Sequence, residues 1–134
     1  MLNLLNLQMP ILEQLHLEEA LLRADHRNYC LINTGSPAAV VMGISAKPSQ
    51  VVDLEKLKAK NIPLIRRYSG GGTVLIEPTT ILVTLILNHD KILAKPFPKD
   101  VLAWSEGLYK PVFEGLSFSL RENDYTIGEK KCGG

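Results

Sequence analysis

Cysteine and histidine are scarce in this chain, and their scarcity narrows its chemistry. Of 134 residues, two are cysteine and three are histidine. Cys30 lies in the apolar run Tyr29-Cys30-Leu31-Ile32 and Cys132 almost at the terminus, so neither suggests a disulfide framework, and Cys30 reads as a small buried hydrophobe. His16, His26 and His89 are scattered, which leaves no zinc pattern and no Cys-His nucleophile to read. An excess of either charge is also missing. Fifteen basic residues against fourteen acidic ones leave a formal net charge of +1, without the broad electrostatic footprint of a partner for nucleic acid or an anionic membrane. Any recognition of an anion must be local. Long apolar runs are absent too: the stretch from Ile81 to Leu87 is only strand length. The first residues, Met1-Leu2-Asn3-Leu4-Leu5-Asn6-Leu7, lack the basic start of a signal peptide and the arginines of a transit peptide. With no clear targeting segment, the expectation is a cytoplasmic or mitochondrial protein. At 46% apolar residues the chain can build one modest core.

What the chain does have is a run of ten residues, Arg66-Arg67-Tyr68-Ser69-Gly70-Gly71-Gly72-Thr73-Val74-Leu75. Three consecutive glycines leave backbone without side chains, able to approach a ligand closely, beside two fixed positive charges. That combination suits an anionic small molecule. It is not a Walker A loop, because Gly72 is followed by Thr-Val-Leu and no lysine. Nor is it a dinucleotide fingerprint, whose glycines open a helix, since Thr73-Val74-Leu75-Ile76 is rich in strand formers. On composition alone, a hairpin loop with two solvated arginines accounts for these residues equally well.

Around this loop the patterning alternates between helix and strand. After Pro10, residues Ile11, Leu15 and Leu22 fall on one helical face, widened by Leu17 and Leu21. Glu18 lies inside that arc, and a place at the margin of the buried stripe is favoured over a hydrogen-bonded interior one. Tyr29 to Ile32 and Ala38 to Ile44 read as strand, turn, strand. Asp53 caps a short helix bearing Leu54 and Leu57, which Asn61-Ile62-Pro63 ends. Thr73 to Glu77 reads as a strand that turns at Pro78-Thr79 and returns through Ile81 to Leu87. That return run is apolar at nearly every position, which predicts a central strand covered on both faces. Val101, Trp104, Leu108 and Val112 form a helix stripe that Pro111 kinks or ends, with Trp104 and Tyr109 as core anchors.

Three segments in order resemble the biotin and lipoate protein ligase family, its lipoate-protein ligase branch in particular. Val40-Val41-Met42-Gly43 with Lys47-Pro48 is similar to the family's strand-Gly-x-x-x-Asn-Pro segment. Arg66 to Val74 closely matches its Arg-Arg-x-Ser-Gly-Gly-Gly-x-Val signature. Asn123-Asp124 followed by Lys131-Cys132-Gly133-Gly134 resembles its Asn-Asp pair and the lysine before a small-residue turn. Three departures stand beside these. Ile76-Glu77 occupies the place of the usual His-Asp, Lys47 replaces an asparagine, and the chain stops within the third motif.

The resemblance implies an α/β (α+β) fold: a mixed, largely antiparallel sheet flanked by helices, similar to class II aminoacyl-tRNA synthetases and biotin synthetase, and incomplete. Residues 1–134 would form the N-terminal part of such a catalytic domain. The implied reaction activates lipoate with ATP to lipoyl-adenylate and passes the acyl group to a lysine of a lipoyl carrier domain. Implied acceptors are the carrier domains of 2-oxoacid dehydrogenase complexes or the glycine cleavage H protein, with no nucleic acid and no membrane. By resemblance, Lys131 is the catalytic residue, with Lys130 as its alternative. Arg67, Ser69, Gly70, Gly71, Gly72, Thr73, Val74, Leu75, Asn123 and Asp124 would bind ATP and the adenylate, Asn123 and Asp124 directly or through Mg²⁺. Arg66 is expected to face solvent or to pair with a carboxylate, and Asp124 could instead cap a turn. Two alternatives remain, an octanoyl or lipoyl transferase that works without ATP and an inactive truncated fragment with a binding role. Weak or absent activity is expected of the 134 residues by themselves.

Overall fold

A computed structural model describes residues 1–91 and 94–134 of the protein. Two units divide it, Met1–Asn88 and His89–Gly134.

In the first unit, helix α1 (Ile11–Ala24) begins after Pro10, whose missing N–H is no loss at a helix start. Pro10 offers no side-chain cap, and the Ser36 hydroxyl accepts the Ile11 N–H instead, at 3.0 Å. Ile11 and Leu15 of α1 join Ala39, Val41 and Ile76 in the core, with Ile65 and Leu82 packed against them. The buried face of α1 also carries Gln14 and Glu18, whereas Leu22 is exposed.

Two three-stranded sheets share this unit. In the first, β1 (Leu2–Leu7) runs parallel to β2 (Asn28–Thr34), and β6 (Ile81–Ile86) pairs antiparallel on the other side of β2. Tyr29, Leu31 and Asn33 alternate inward along β2, each buried, as a period of two requires. In the second sheet, β3 (Ala39–Met42) is central, parallel to β4 (Leu64–Arg66) and antiparallel to β5 (Val74–Ile76). All four β3 residues are buried, so Ala-Val-Val-Met is the covered strand of this unit. Single-turn helix α2 (Pro48–Val51) and helix α3 (Leu54–Ala59) lie between β3 and β4 in sequence. The Asp53 carboxylate accepts the Lys56 N–H at 3.0 Å, the expected cap, and Asn61 closes α3 at φ +52°.

Two expectations are corrected here. The strands on either side of Pro78-Thr79 do not form a hairpin, because β5 pairs with β3 and β6 with β2. And β6 flanks β2 rather than lying between strands, with Ile81 and Val83 exposed, so its apolar run is not covered on both faces. The expected strand, turn, strand over Tyr29 to Ile32 and Ala38 to Ile44 does form, as β2 and β3, which enter different sheets.

A buried polar network replaces the marginal carboxylate expected at Glu18, which is only 8% exposed. Gln14 donates to Glu18 Oε1 at 2.7 Å, and Thr84 on β6 donates to the same oxygen at 2.6 Å. Asn33 donates to Gln14 Oε1 at 2.8 Å and exchanges two hydrogen bonds with the Met9 backbone. Hydrogen bonding of this completeness is what permits polar side chains in the interior.

In the second unit, a short 3-10 turn (His89–Lys91) precedes helix α4 (Pro98–Tyr109), which passes into another 3-10 turn at Lys110–Phe113, where Pro111 ends the regular helix. Three antiparallel strands follow, β7 (Phe118–Arg121), β8 (Asp124–Ile127) and β9 (Lys130–Gly133), in that order across the sheet. The expected α4 stripe is displaced. Val101, Leu108 and Val112 are exposed, while Ser105 is buried and Tyr109 sets its ring edge-on to Tyr125, centroids 5.4 Å apart.

Candidate functional site

The glycine loop leaves β4 at Arg66 and enters β5 at Val74. Its two arginines divide the work. Arg66 turns back over the segment after β3, its Nη1 donating to the carbonyls of Ile44 at 2.6 Å and Ala46 at 2.8 Å. Arg66 is exposed to solvent, as the sequence leads one to expect, and its guanidinium in addition holds the backbone of this segment. Arg67 folds into its own loop: Nε and Nη2 donate to the Gly70 carbonyl at 3.0 and 2.9 Å, and Nη2 also reaches the Gly72 carbonyl at 2.9 Å. Backbone bonds from Arg67 N to Met42 O and from Ile44 N to Ser69 O, both 3.0 Å, tie the loop to the end of β3.

Two glycines are required by this packing. Gly71 adopts φ +106°, and a Cβ there would lie 2.5 Å from Arg67 Nη2. A Cβ on Gly43 would run into the Gly71 carbonyl oxygen. The first and second motifs are therefore built against each other through bare backbone, which ties Gly43, Gly70, Gly71 and Gly72 into one local structure. Ser69 and the three glycines are exposed, Thr73 is half-buried, and Val74 and Leu75 stand 47% and 56% exposed, so this backbone is open to a ligand. Tyr68 is half-buried, and burial, followed by the charges of Glu18 and Glu19, pushes its phenol above the ordinary tyrosine range.

The third motif is a hairpin in the second unit. Asp124 opens β8 after a turn in which Glu122 adopts φ +56°, and Lys131 on β9 pairs with Thr126. Strand alternation puts Asp124, Thr126 and Lys131 on one face and Tyr125, Ile127 and Lys130 on the other. Lys131 Nζ accordingly meets Asp124 Oδ1 at 2.7 Å, an arrangement closed to Lys130. Asn123 is exposed, its backbone oxygen beside Gly134, where a Cβ would lie 3.0 Å from both Asn123 O and Asp124 Oδ1.

As a donor set for Mg²⁺ this hairpin is lean. Asn123 and Asp124 supply one carboxylate, one of whose oxygens already holds an ammonium, and no group of three or more His, Cys, Asp or Glu able to hold a metal occurs among the described residues. A magnesium ion here would depend on phosphate oxygens brought by a nucleotide. Cys30 is half-buried, with its thiol pushed up by burial, and Cys132 is exposed. Among the described residues no helix is long and apolar enough to cross a membrane.

Sequence reasoning named Arg67, the three glycines, Asp124 and Lys131 as candidates, and it missed what holds them in place. The roles of Arg66 and Gly43 lay in the first motif's proximity to the second, which only the pairing of β3 with β4 and β5 creates. The pairing of Lys131 with Asp124 could have been read from the two-residue period across a turn at Gly128-Glu129.

Comparison with known proteins gives this geometry a lineage. An inactive lipoate-protein ligase 2 from Plasmodium falciparum is 30% identical over 102 residues, which are 72% of this chain and 26% of that protein. A putative lipoate-protein ligase A from Saccharomyces cerevisiae is 40% identical over 68 residues, 51% of this chain and 17% of its own length. The chain thus spans about a quarter or less of these relatives. Among solved structures, a bipartite lipoate protein ligase from Thermoplasma acidophilum, studied with its E2 lipoyl domain, superposes with a TM-score of 0.77 at 25% identity, over 96% of this chain and 52% of that one. A lipoate-protein ligase A bound with ATP shares the fold at a TM-score of 0.69 and 22% identity, over 96% of this chain and 57% of its own. The family model for the lipoyl protein ligase A/B catalytic domain matches residues 10–134, and the chain belongs to that family.

Proposed function

We propose that these residues serve the activation of lipoate with ATP and the transfer of the lipoyl group to a lysine of a lipoyl carrier domain. In the first step a lipoate carboxylate oxygen attacks the α-phosphorus of ATP, forming lipoyl-adenylate and releasing pyrophosphate. In the second the acceptor amine attacks the acyl carbon and gives up a proton to solvent, an amide forms, and AMP leaves with the bonding electron pair. Both steps gather negative charge, so the protein's contribution is fixed cations and oriented N–H donors. Arg67 would contact the phosphate, and the backbone of Gly72, Thr73, Val74 and Leu75 would lie along the ligand. Lys131 would stabilise charge on the acyl carbonyl and the phosphate, while Asn123 and Asp124 position the phosphate. Residues 1–134 are, in this reading, the N-terminal part of the catalytic domain. The carriers of 2-oxoacid dehydrogenase complexes are supported as acceptors by the archaeal ligase studied with its E2 lipoyl domain, and ATP by the nucleotide-bound relative.

The observation that best supports this reading is the side-chain-free loop at Gly70 to Gly72, wrapped around a guanidinium and open to solvent, in a chain of this family. The test is lipoate-dependent ATP-pyrophosphate exchange by the complete catalytic domain of which these residues would be the N-terminal part. We expect Lys131→Ala to lower it by roughly 100- to 1000-fold, or about 3–4 kcal/mol, the scale for removing one oxyanion donor. Exchange that survives this change unaltered removes the lysine from the mechanism. Because one relative carries the word inactive in its name, a second reading is a binding role without turnover. Tight lipoate binding with neither exchange nor acyl transfer favours that reading, and acyl transfer from a charged carrier without ATP favours a transferase.

A further inference from the structure

The register of the last two strands contains an irregularity whose cause is visible. Ile127 pairs with Lys130 and Thr126 with Lys131, but Tyr125 pairs with Gly133, leaving Cys132 as an extra residue. Such a bulge re-aims the chain beyond it. Here it places a glycine opposite a tyrosine. A Cβ on Gly133 would lie 3.2 Å from Tyr125 Cδ2, so the ring rests directly on bare backbone. Without the bulge the Cys132 side chain would meet that ring instead. The bulged Cys132 Sγ donates to the Tyr125 carbonyl at 3.4 Å.

Tyr125 is itself held from several sides. Its hydroxyl is 2.5 Å from Ser105 Oγ on α4, and Ser105 is 8% exposed and donates to Leu102 O at 2.8 Å. The rings of Tyr109 and Phe118 flank it, centroids 5.4 and 5.8 Å away. On the opposite face of β8 and β9 are Asp124 and Lys131, and the re-aimed Gly134 lies against Asp124 Oδ1 and within 3.6 Å of Lys131 Cε, measured from a Cβ built on it.

We infer that Tyr125, anchored by Ser105, is a positioning residue for Lys131. By resting its ring on Gly133 it selects the bulged register, and the bulge seats Gly134 against the Asp124–Lys131 pair. This explains the burial of a serine on α4 between the partly buried Leu102 and Tyr109: its hydroxyl sets the height of the ring. The inference rests on the proposed role of Lys131 for its functional consequence, but its structural half stands alone.

Two measurements test it. By NMR of the 134-residue protein, contacts between the Tyr125 ring and the Gly133 Hα protons are expected. Tyr125→Leu is expected to abolish the bulge, so that residue 125 faces Cys132; Tyr125→Phe keeps the ring and the bulge. Retention of the bulged register in Tyr125→Leu overturns the inference. In pyrophosphate exchange by the complete catalytic domain, Tyr125→Leu should lower kcat about 30-fold with the lipoate KM nearly unchanged, Tyr125→Phe about threefold, and Tyr125→Leu should add nothing to Lys131→Ala. A full further loss on the Lys131→Ala background shows that Tyr125 does not act through the lysine. Full activity of Lys131→Ala instead removes the functional reading, and the register measurement then decides the structural half by itself.

Discussion

The glycine loop and the C-terminal hairpin each present a cation to solvent, and they hold it by opposite means. Arg67 is fixed by carbonyls of its own loop, so its position is a property of ten contiguous residues. Lys131 is fixed by a carboxylate seven residues away, across two strands and an irregular register. A planar fork of five donors suits the first arrangement, because it can bind two carbonyls and still present an edge outward. A point charge on a flexible stem suits the second, because one partner suffices and the ammonium can exchange that partner for a ligand oxygen. The loop is therefore expected to fail when backbone is crowded, and the hairpin when register is lost.

Crowding the loop should have the largest effect. Gly43→Ala places a methyl against the Gly71 carbonyl oxygen, backbone against backbone, where neither side yields easily. We expect a loss of about 1–3 kcal/mol, the range for overpacking a fitted interior, read as a lower denaturant midpoint at constant slope. Lipoate binding should weaken with it. Gly70→Ala, where a Cβ meets nothing within 4 Å, should leave stability within about 0.5 kcal/mol. Equal effects at the two positions would refute the idea that the loop is defined by its contact with Gly43.

Removing the guanidinium comes next. Arg67→Ala releases the Gly70 and Gly72 carbonyls to water, which takes up most of their hydrogen bonding, so the net cost should be about 1 kcal/mol. Faster amide exchange over residues 68–73, with the hairpin unchanged, is the expected signature. In the hairpin, Asp124→Asn removes an ion pair whose members are 58% and 45% exposed, and screening limits its worth to well under 1 kcal/mol. The pair should therefore matter to activity far more than to stability. A destabilisation by Asp124→Asn as large as that of Gly43→Ala would reverse the comparison.

Legibility in the sequence follows the same division. Arg67 and its glycines are contiguous, and bare backbone beside a fixed cation could be read from ten letters. The helix after Pro10, the Asp53 cap and the end of α4 at Pro111 are likewise local, and they stand where the residue types put them. Partner choice is not local. Pro78-Thr79 has the chemistry of a hairpin turn, yet β5 and β6 enter different sheets, because β3 and β2 offer each a longer-range partner. Buried polar residues were hidden for a related reason. Glu18 looks marginal on a helical projection, and only Gln14 beside it, with Asn33 and Thr84 distant in sequence, makes its interior position tolerable. On α4 the apolar period pointed to Val101 and Leu108, whereas the buried face carries Ser105, chosen by Tyr125. Strand β1 was missed because Leu-Asn-Leu-Leu-Asn-Leu breaks the alternation of a half-buried strand, although its burial alternates.

The smallest expected effect separates the two regions by pH. Burial, with the negative charges of Glu18 and Glu19 next, raises the Tyr68 phenol above its ordinary value of 10.0, so the folded loop binds that proton more tightly than the unfolded chain does. The stability linked to it is fully present below pH 10 and is lost as the pH rises through the folded value. Tyr68→Phe removes the titrating group and should abolish this alkaline loss, leaving the protein near neutral pH almost as stable as before. The ring is only half-buried and solvent screens its neighbours, so the effect should be small. Ultraviolet titration of the phenolate checks it, since wild type should show one tyrosine ionising later than the variant does. If the alkaline limbs of wild type and Tyr68→Phe coincide, the folded loop holds the Tyr68 proton no more tightly than the unfolded chain, and neither burial nor the carboxylates of α1 perturb it.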